Sequence, residues 1–454
     1  MPSRKALSKF DCDSSLFKPE PPTDPGLVKR LFAGRDKELR RGYQTLRNEL
    51  DIRGKRSRHF DKVPWVIHGE SRSGKSHLAR RILAEFRPNS RRLQLLIRAR
   101  DMVEALLVMA DVFRQVVYLF RDRTRNERLL EPVAGRPDVG LVNNLIERML
   151  LFLNEAQTAT ETREKSAETT LEVGGELSGL LGKFVGKFQS KDVGKETRQV
   201  VLKPPTAEML AELCGIILET LIALGLADHL LVLVDDVDLL DPAAPTAQQA
   251  RVQRALLTAA LCTLHAQPGI DVLLTARSWF VYSGKELTQL VDLTQSAMPA
   301  EALVSIHDKH MEEFATKAGL QSFLVPEALK AFADEMQELN GLPGVFLQHL
   351  HTAMARFKDD DDFSARDYNW FVGVFHELMN SLRTRVEPGY VAMQAALQTG
   401  RLEIQVGDLN PFVGTALDNL FVWQSYHNER CYFMSPLMRR LFREASGPKG
   451  GPLA

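Results

Sequence analysis

The eight residues Gly69-Glu70-Ser71-Arg72-Ser73-Gly74-Lys75-Ser76 satisfy G-x-x-x-x-G-K-[ST] in full, and no other feature of the chain narrows its fold as far. The glycines let backbone N–H groups turn inward and form an anion cradle at a helix N-terminus. Lys75 adds a mobile cation for β- and γ-phosphates, and the Ser76 hydroxyl suits a Mg²⁺ ion bound to them. Such a loop works only between a buried strand and a helix, and both are legible. Val63-Pro64-Trp65-Val66-Ile67-His68 is a short apolar strand, and Ser76 to Phe86 has helical periodicity. The implied ligand is ATP with Mg²⁺. His77, next in that helix, belongs to the binding segment.

A second apolar strand, Leu93 to Ile97, precedes helical patterns at about 101–120 and 141–155. A helix from Thr206 leads into Leu230-Leu231-Val232-Leu233-Val234, which ends in Asp235-Asp236. A helix over Ala247 to Ala266 follows, then Val272-Leu273-Leu274-Thr275, and a further strand is expected at Leu303 to Ile306. Strands alternating with helices predict an α/β fold, a three-layer core with a parallel sheet covered on both faces. Strand signals then stop. Helices at about 307–318, 326–339 and 344–357 predict a helical lid. The expected division is an extended leader over 1–28, a core over 29–306 with an insertion at 156–200, a lid over 307–358 and a C-terminal domain over 363–446. The leader carries Lys18-Pro19-Glu20-Pro21-Pro22, and the acidic run Asp359 to Asp362 is the expected hinge.

A buried strand that delivers a carboxylate at its C-terminal end can hold Mg²⁺ beside the phosphates, which is the role expected of Asp235. Asp236 is then placed to polarise the attacking water. Asp238 and Asp241 read as helix-capping or solvated groups. Thr275 ends the next strand at the sheet edge where ligands of open α/β sheets lie, so its hydroxyl is a candidate partner for the γ-phosphate or the water. Arg277 can neutralise transition-state charge, in its own subunit or in a neighbour's site.

Two further segments carry a family likeness. Phe32-Ala33-Gly34-Arg35-Asp36-Lys37-Glu38-Leu39 lies ahead of the phosphate loop, and Gly341-Leu342-Pro343-Gly344 lies within the helical region. With the elements above, they resemble the AAA+ ATPases over roughly residues 30–357, in the branch shared by origin-initiator proteins and STAND NTPases. The resemblance implies that the lead-in segment, with Phe32 and Arg35, packs near the adenine, and that Pro343 lies against the base. It also implies a winged-helix-like C-terminal domain, for which helices at about 366–382 and 390–398 and the alternating run Leu402 to Val406 are suitable. That domain serves as a packing wedge in preference to reading DNA; Arg439, Arg440 and Arg443 are its basic cluster. Two departures stand out. Initiator-type relatives carry an arginine after the lid proline, where this chain has Gly344 and Val345, and the Met-His-Asp motif of STAND switches is absent. With Asp236 where motors carry glutamate, these departures imply slow turnover or a nucleotide-held switch, and the resemblance implies a role in prokaryotic defence or signalling.

Lys+Arg and Asp+Glu balance at 58 each, so net charge does not draw the chain to nucleic acid. A protein partner or self-assembly is expected, with DNA the alternative through the basic loop Arg53 to Arg58. Cys12, Cys214, Cys262 and Cys431 lack CxxC spacing, so neither a zinc site nor a disulfide framework is suggested, which fits a reducing, cytoplasmic setting. No apolar run approaches the ~20 residues of a membrane span, and no membrane contact is expected. In the insertion, Leu177, Leu180, Leu181, Phe184, Val185 and Phe188 share one helical face, with Lys183, Lys187 and Lys191 opposite. Five glycines there each weaken an isolated helix by about 1 kcal/mol. The segment reads as an excursion folded on its own domain, an association element, a membrane-surface helix or a β-hairpin.

Overall fold

The computed structural model describes residues 16–53, 63–70, 72–86, 91–124, 137–158, 169–174, 189–192, 197–202, 205–240, 247–283, 287–294, 297–315, 322–337, 341–355, 366–385, 403–405, 422–424, 431–434, 437 and 440–441. Ser71, Asp241, the loop after Arg53, the stripe Leu177 to Phe188, the hinge Asp359 to Asp362, the helix at 390–398, Arg439 and Arg443 lie outside the described residues.

The chain opens with α1 (Pro25–Leu31), α2 (Asp36–Arg53), β1 (Trp65–Gly69), α3 (Lys75–Glu85), β2 (Arg92–Arg98), α4 (Ala105–Thr124) and α5 (Pro137–Thr158). The insertion contributes β3 (Thr169–Gly174), β4 (Gln189–Asp192) and β5 (Thr197–Leu202). The core resumes with α6 (Ala207–Ala223), β6 (His229–Asp235), α7 (Ala247–Ala266), β7 (Ile270–Arg277), α8 (Ser278–Ser283) and β8 (Thr288–Asp292). Then come α9 (Ala300–Phe314), α10 (Pro326–Gln337), α11 (Pro343–Ala355), α12 (Tyr368–Arg385), β9 (Glu403–Gln405), β10 (Val422–Gln424) and β11 (Cys431–Met434).

Five parallel strands in the order β2-β6-β7-β1-β8 make the central sheet. Successive residues of a strand face opposite sides, and β6 and β7 divide cleanly. Leu230, Val232, Val234, Val272 and Leu274 join a core built with α4, α5, α6 and α7. Leu231, Leu233 and Leu273 join the opposite core, where α2 and α3 pack. The result is a three-layer α/β core. β7 lies between the strand of the phosphate loop and the strand that ends in Asp235.

Leu303 to Ile306, expected as a strand, lies inside α9, and the fifth strand is β8 instead. The buried positions Leu303, Ile306, His307, His310 and Met311 have helical spacing, but two are histidines, which disguise the apolar stripe. α9, α10, α11 and α12 share a third core with Phe332, Phe346, Phe371 and Phe375 at its centre. Beyond α12 the described strands form an antiparallel sheet in the order β10-β11-β9. Within the insertion, β3 and β4 both pair antiparallel with β5, which lies between them.

The leader does not stay extended throughout. Its described part ends in α1, capped by Asp24, whose carboxylate accepts from the Leu27 N–H. Before that helix, Phe17 is fully buried in the lid core, stacked on His307 at 5.4 Å, and the Leu16 carbonyl lies 3.2 Å from His351 Nδ1. Glu20 then pairs with Arg100 at 2.6 Å just beyond β2. Residues 16–24 thus strap the lid to the core.

Candidate functional site

β1 delivers the phosphate loop at the C-terminal edge of the sheet. Gly74 caps α3 with φ 89°, a left-handed conformation in which glycine is unstrained, and it lets the first N–H groups of α3 face the loop. Lys75 is buried, and its Nζ donates to the Glu70 carbonyl at 2.6 Å. Burial lowers the Lys75 pKa, and the charges of Asp238 and Asp236 oppose that shift. The Ser73 hydroxyl is buried without a partner. These are donors awaiting an anion. Ser76, one residue into α3, is half-buried.

Opposite stand the acids. Asp235 is buried at the end of β6, and both its oxygens are engaged. The Thr275 hydroxyl donates to Oδ1 at 2.5 Å, and Arg80 Nη2 donates to Oδ2 at 3.0 Å. Arg80 is held in turn by the carbonyls of Pro21 and Pro22, the latter at 3.0 Å. The Thr275 oxygen also accepts the Asp236 N–H at 2.9 Å, so this residue braces the two acids rather than presenting a free hydroxyl. Asp236 sits at φ 58°, strained for a non-glycine residue. Burial pushes its carboxyl up to about 6, helped by the charges of Asp235 and Asp238. Asp238 is buried rather than solvated: it accepts the Arg277 N–H at 3.2 Å and pairs with Arg277 Nε at 3.3 Å. Arg277 Nη1 remains buried and unpartnered.

The lead-in segment meets the loop from the other side. Arg35 Nη2 donates to the Ser73 carbonyl at 3.3 Å. Phe32 packs edge-on to the His77 ring at 5.5 Å, and Lys309 of α9 donates to the Phe32 carbonyl. His77 Nε2–H donates to the Val28 carbonyl at 3.0 Å, and burial lowers its pKa to about 4. His77 therefore ties α1 to α3 as a neutral ring. Gly69 and Glu70 complete the buried end of the loop.

The lid helix closes the site. Pro343 begins α11 with its Cγ 3.3 Å from where a Cβ on Gly74 would stand, and the Gly344 N–H donates to the Arg72 carbonyl at 3.0 Å. Pro343 thus lies over the phosphate loop.

The structure brings Arg35, Arg72, Ser73, Gly74, Lys75, Asp235, Asp236, Thr275, Arg277 and Pro343 into one site. Sequence reasoning missed three contributors. Arg80 stands four residues after Ser76, on the same helix face, a spacing that could have revealed it. The roles of Asp238 and Gln348 rest on contacts across the fold, which carry no local signal.

The donor set fits a nucleotide polyphosphate. Among the described residues no group of three or more His, Cys, Asp or Glu could hold a metal alone. No described helix is long and apolar enough to cross a membrane. Arg440 is committed internally, donating to the Tyr368 hydroxyl at 2.7 Å and pairing with Glu335 at 3.4 Å.

No family model and no curated protein matches the chain. Among solved structures it is similar to the ORC2 protein of Aeropyrum pernix, described in ADPNP and ADP complexes, at 12% identity and TM-score 0.43, covering 95% of this chain and 96% of that one. It is also similar to Cdc6p of Pyrobaculum aerophilum at 12% identity and TM-score 0.35, covering 95% and 98%. At that distance the site is read from this chain's own residues.

Proposed function

We propose that this chain is an AAA+-type ATPase that binds ATP with Mg²⁺ and hydrolyses it slowly, its nucleotide state setting the position of the lid and so controlling self-assembly or a protein partner. One observation carries the reading: the lid helix, the phosphate loop and the acidic end of β6 converge on a single buried site.

Asp235 and Ser76 would hold Mg²⁺, which would supply charge neutralisation of the phosphates. The N–H groups at the start of α3 and the Lys75 ammonium orient the anion, for which Lys75 must leave the Glu70 carbonyl. Asp236, with a carboxyl near neutrality, accepts a proton from the attacking water. Thr275 fixes the distance between Asp235 and Asp236. Arg277, oriented by Asp238 with Nη1 uncommitted, meets the charge that develops on the transferred phosphate. Asp236 reaches less far than a glutamate, which favours slow turnover.

A DNA-associated role is the competing reading, and the commitment of Arg440 to Tyr368 and Glu335 weighs against it. Phosphate release by wild type and Lys75→Ala, at several protein concentrations and with or without duplex DNA, tests both. Turnover that rises with concentration and vanishes in Lys75→Ala supports an assembling ATPase. Salt-sensitive stimulation by DNA supports the alternative. Equal silence of both proteins removes the hydrolysis claim.

A further inference from the structure

Among the described residues of the phosphate loop, Arg72 is the one that the lid grips by both backbone and side chain. Its carbonyl accepts the Gly344 N–H at 3.0 Å, and its Nη1 donates to Gln348 Oε1 at 2.9 Å, one turn further along α11. The approach leaves no room for a side chain on the lid. A Cβ at Gly344 would stand 2.8 Å from the Arg72 Cβ and 3.0 Å from its carbonyl oxygen. Arg72 also sits at φ 64°, a region that L side chains occupy only when the surroundings hold them there. The lid contacts are those surroundings.

The electrostatics point the same way. Arg72 lies within the field of Arg277: burial, and after it that like charge, pull its guanidinium down to about 10. An anion between two like charges beside the phosphate loop would relieve their repulsion. Asp238 engages Arg277 through Nε, which leaves the buried Nη1 of Arg277 without a partner. Arg72 gives Nη1 to a neutral amide, which leaves its charge uncompensated.

We propose that Arg72 is the lid-reading residue of the phosphate site: α11 holds it through Gly344 and Gln348, and its guanidinium, with that of Arg277, recognises the terminal phosphate of a nucleoside triphosphate. The cation that answers the γ-phosphate thus comes from the loop, and the lid controls it by posture rather than by supplying a charge of its own. Gln348 is a positioning residue in this scheme, since it acts through Arg72. The inference rests on the ATPase reading.

The test is calorimetric binding of a non-hydrolysable ATP analogue and of ADP, both with Mg²⁺, to full-length wild type, Arg72→Gln, Gln348→Ala and the double variant. Removing a charge-assisted bond should weaken triphosphate binding of Arg72→Gln about tenfold or more, with ADP affinity within about twofold of wild type. Gln348→Ala should show the same selective loss in smaller measure, and the double variant should be no worse than Arg72→Gln, as expected for residues acting in series. Equal weakening of both nucleotides by Arg72→Gln overturns the proposal, because the loop is then merely damaged. So does a Gln348→Ala variant that keeps the wild-type ratio of affinities. A wild-type protein that binds neither nucleotide brings down the ATPase reading itself, a result distinct from either.

Discussion

Gly341 stands where the lid element turns toward the phosphate loop, and alanine there should be severe for a reason that can be isolated. Its φ is +52°, and a Cβ would lie 2.1 Å from the Met298 carbonyl oxygen and 3.0 Å from that carbonyl carbon. Two costs add. Holding an L side chain in the left-handed region costs roughly 1–2 kcal/mol. Relieving a contact this short requires backbone movement, comparable to overpacking a core, at about 1–3 kcal/mol. The expected loss is therefore about 2–5 kcal/mol, a large share of a typical stability of roughly 5–15 kcal/mol. Gly225 supplies the control: its φ is +70°, yet a Cβ there meets nothing within 4 Å. Gly225→Ala should show the conformational cost alone. Urea denaturation of both variants in one buffer measures the difference, and nucleotide titration of Gly341→Ala should show weakened binding, since Pro343 and Gly344 follow directly. Equal losses in the two variants would refute the close approach of Gly341 to Met298.

Two other perturbations probe the acidic side. Arg80→Met leaves Asp235 as a buried charge without its cation, which should destabilise the protein by about 3–5 kcal/mol in denaturant unfolding; a loss below about 1 kcal/mol would show that the Arg80 pair is not buried as described. For Asp236, a carboxyl at about 6 predicts that turnover at saturating nucleotide falls as pH drops through that value, and a flat profile from pH 5 to 8 excludes it as the base. The sign for stability is opposite. Because its folded pKa is raised, the native state holds a proton that the unfolded chain has released between about pH 4 and 6, so this group makes the fold less stable as pH rises through that window.

What the sequence disclosed depended on whether the information was local. The phosphate loop was legible because its mechanism fixes residue types at fixed spacing, and β6 because a fully buried parallel strand is a continuous apolar run ending in its carboxylate. β8 was not. It is an edge strand, Thr288–Asp292, with only Leu290 and Val291 buried in the core, while Leu303-Val304-Ser305-Ile306 looked more strand-like than the true strand did. The first turns of α9 were hidden because His307 and His310 occupy core positions against Phe17. Phe17 itself fell in a proline-rich stretch that periodicity cannot read. The Arg80–Asp235 pair joins residues 155 apart, and the Arg72–Gln348 bond residues 276 apart. Such pairings follow from sheet order and lid docking, and no window of the sequence contains them.

Those distant pairings decide how the lid and the site influence each other. Beside the bond from Lys309 to the Phe32 carbonyl, three seams join the lid to the core among the described residues. One is the ion pair of Arg30 with Glu313, mostly solvated on the arginine side and worth at most about 1 kcal/mol. The second is the grip of α11 on Arg72. The third is the strap from Phe17 in the lid core to the carbonyls of Pro21 and Pro22, which hold Arg80, which holds Asp235. The two strong seams end on opposite sides of the phosphate loop, one at Arg72 and one at Asp235. A lid movement that breaks either must change the charge environment met by a bound nucleotide. By reciprocity, a nucleotide that favours one arrangement of Arg72 and Asp235 must bias the lid by the same free energy. Under the proposed function, tight pairing at both ends would make that coupling strong and turnover slow, as expected of a switch rather than a motor.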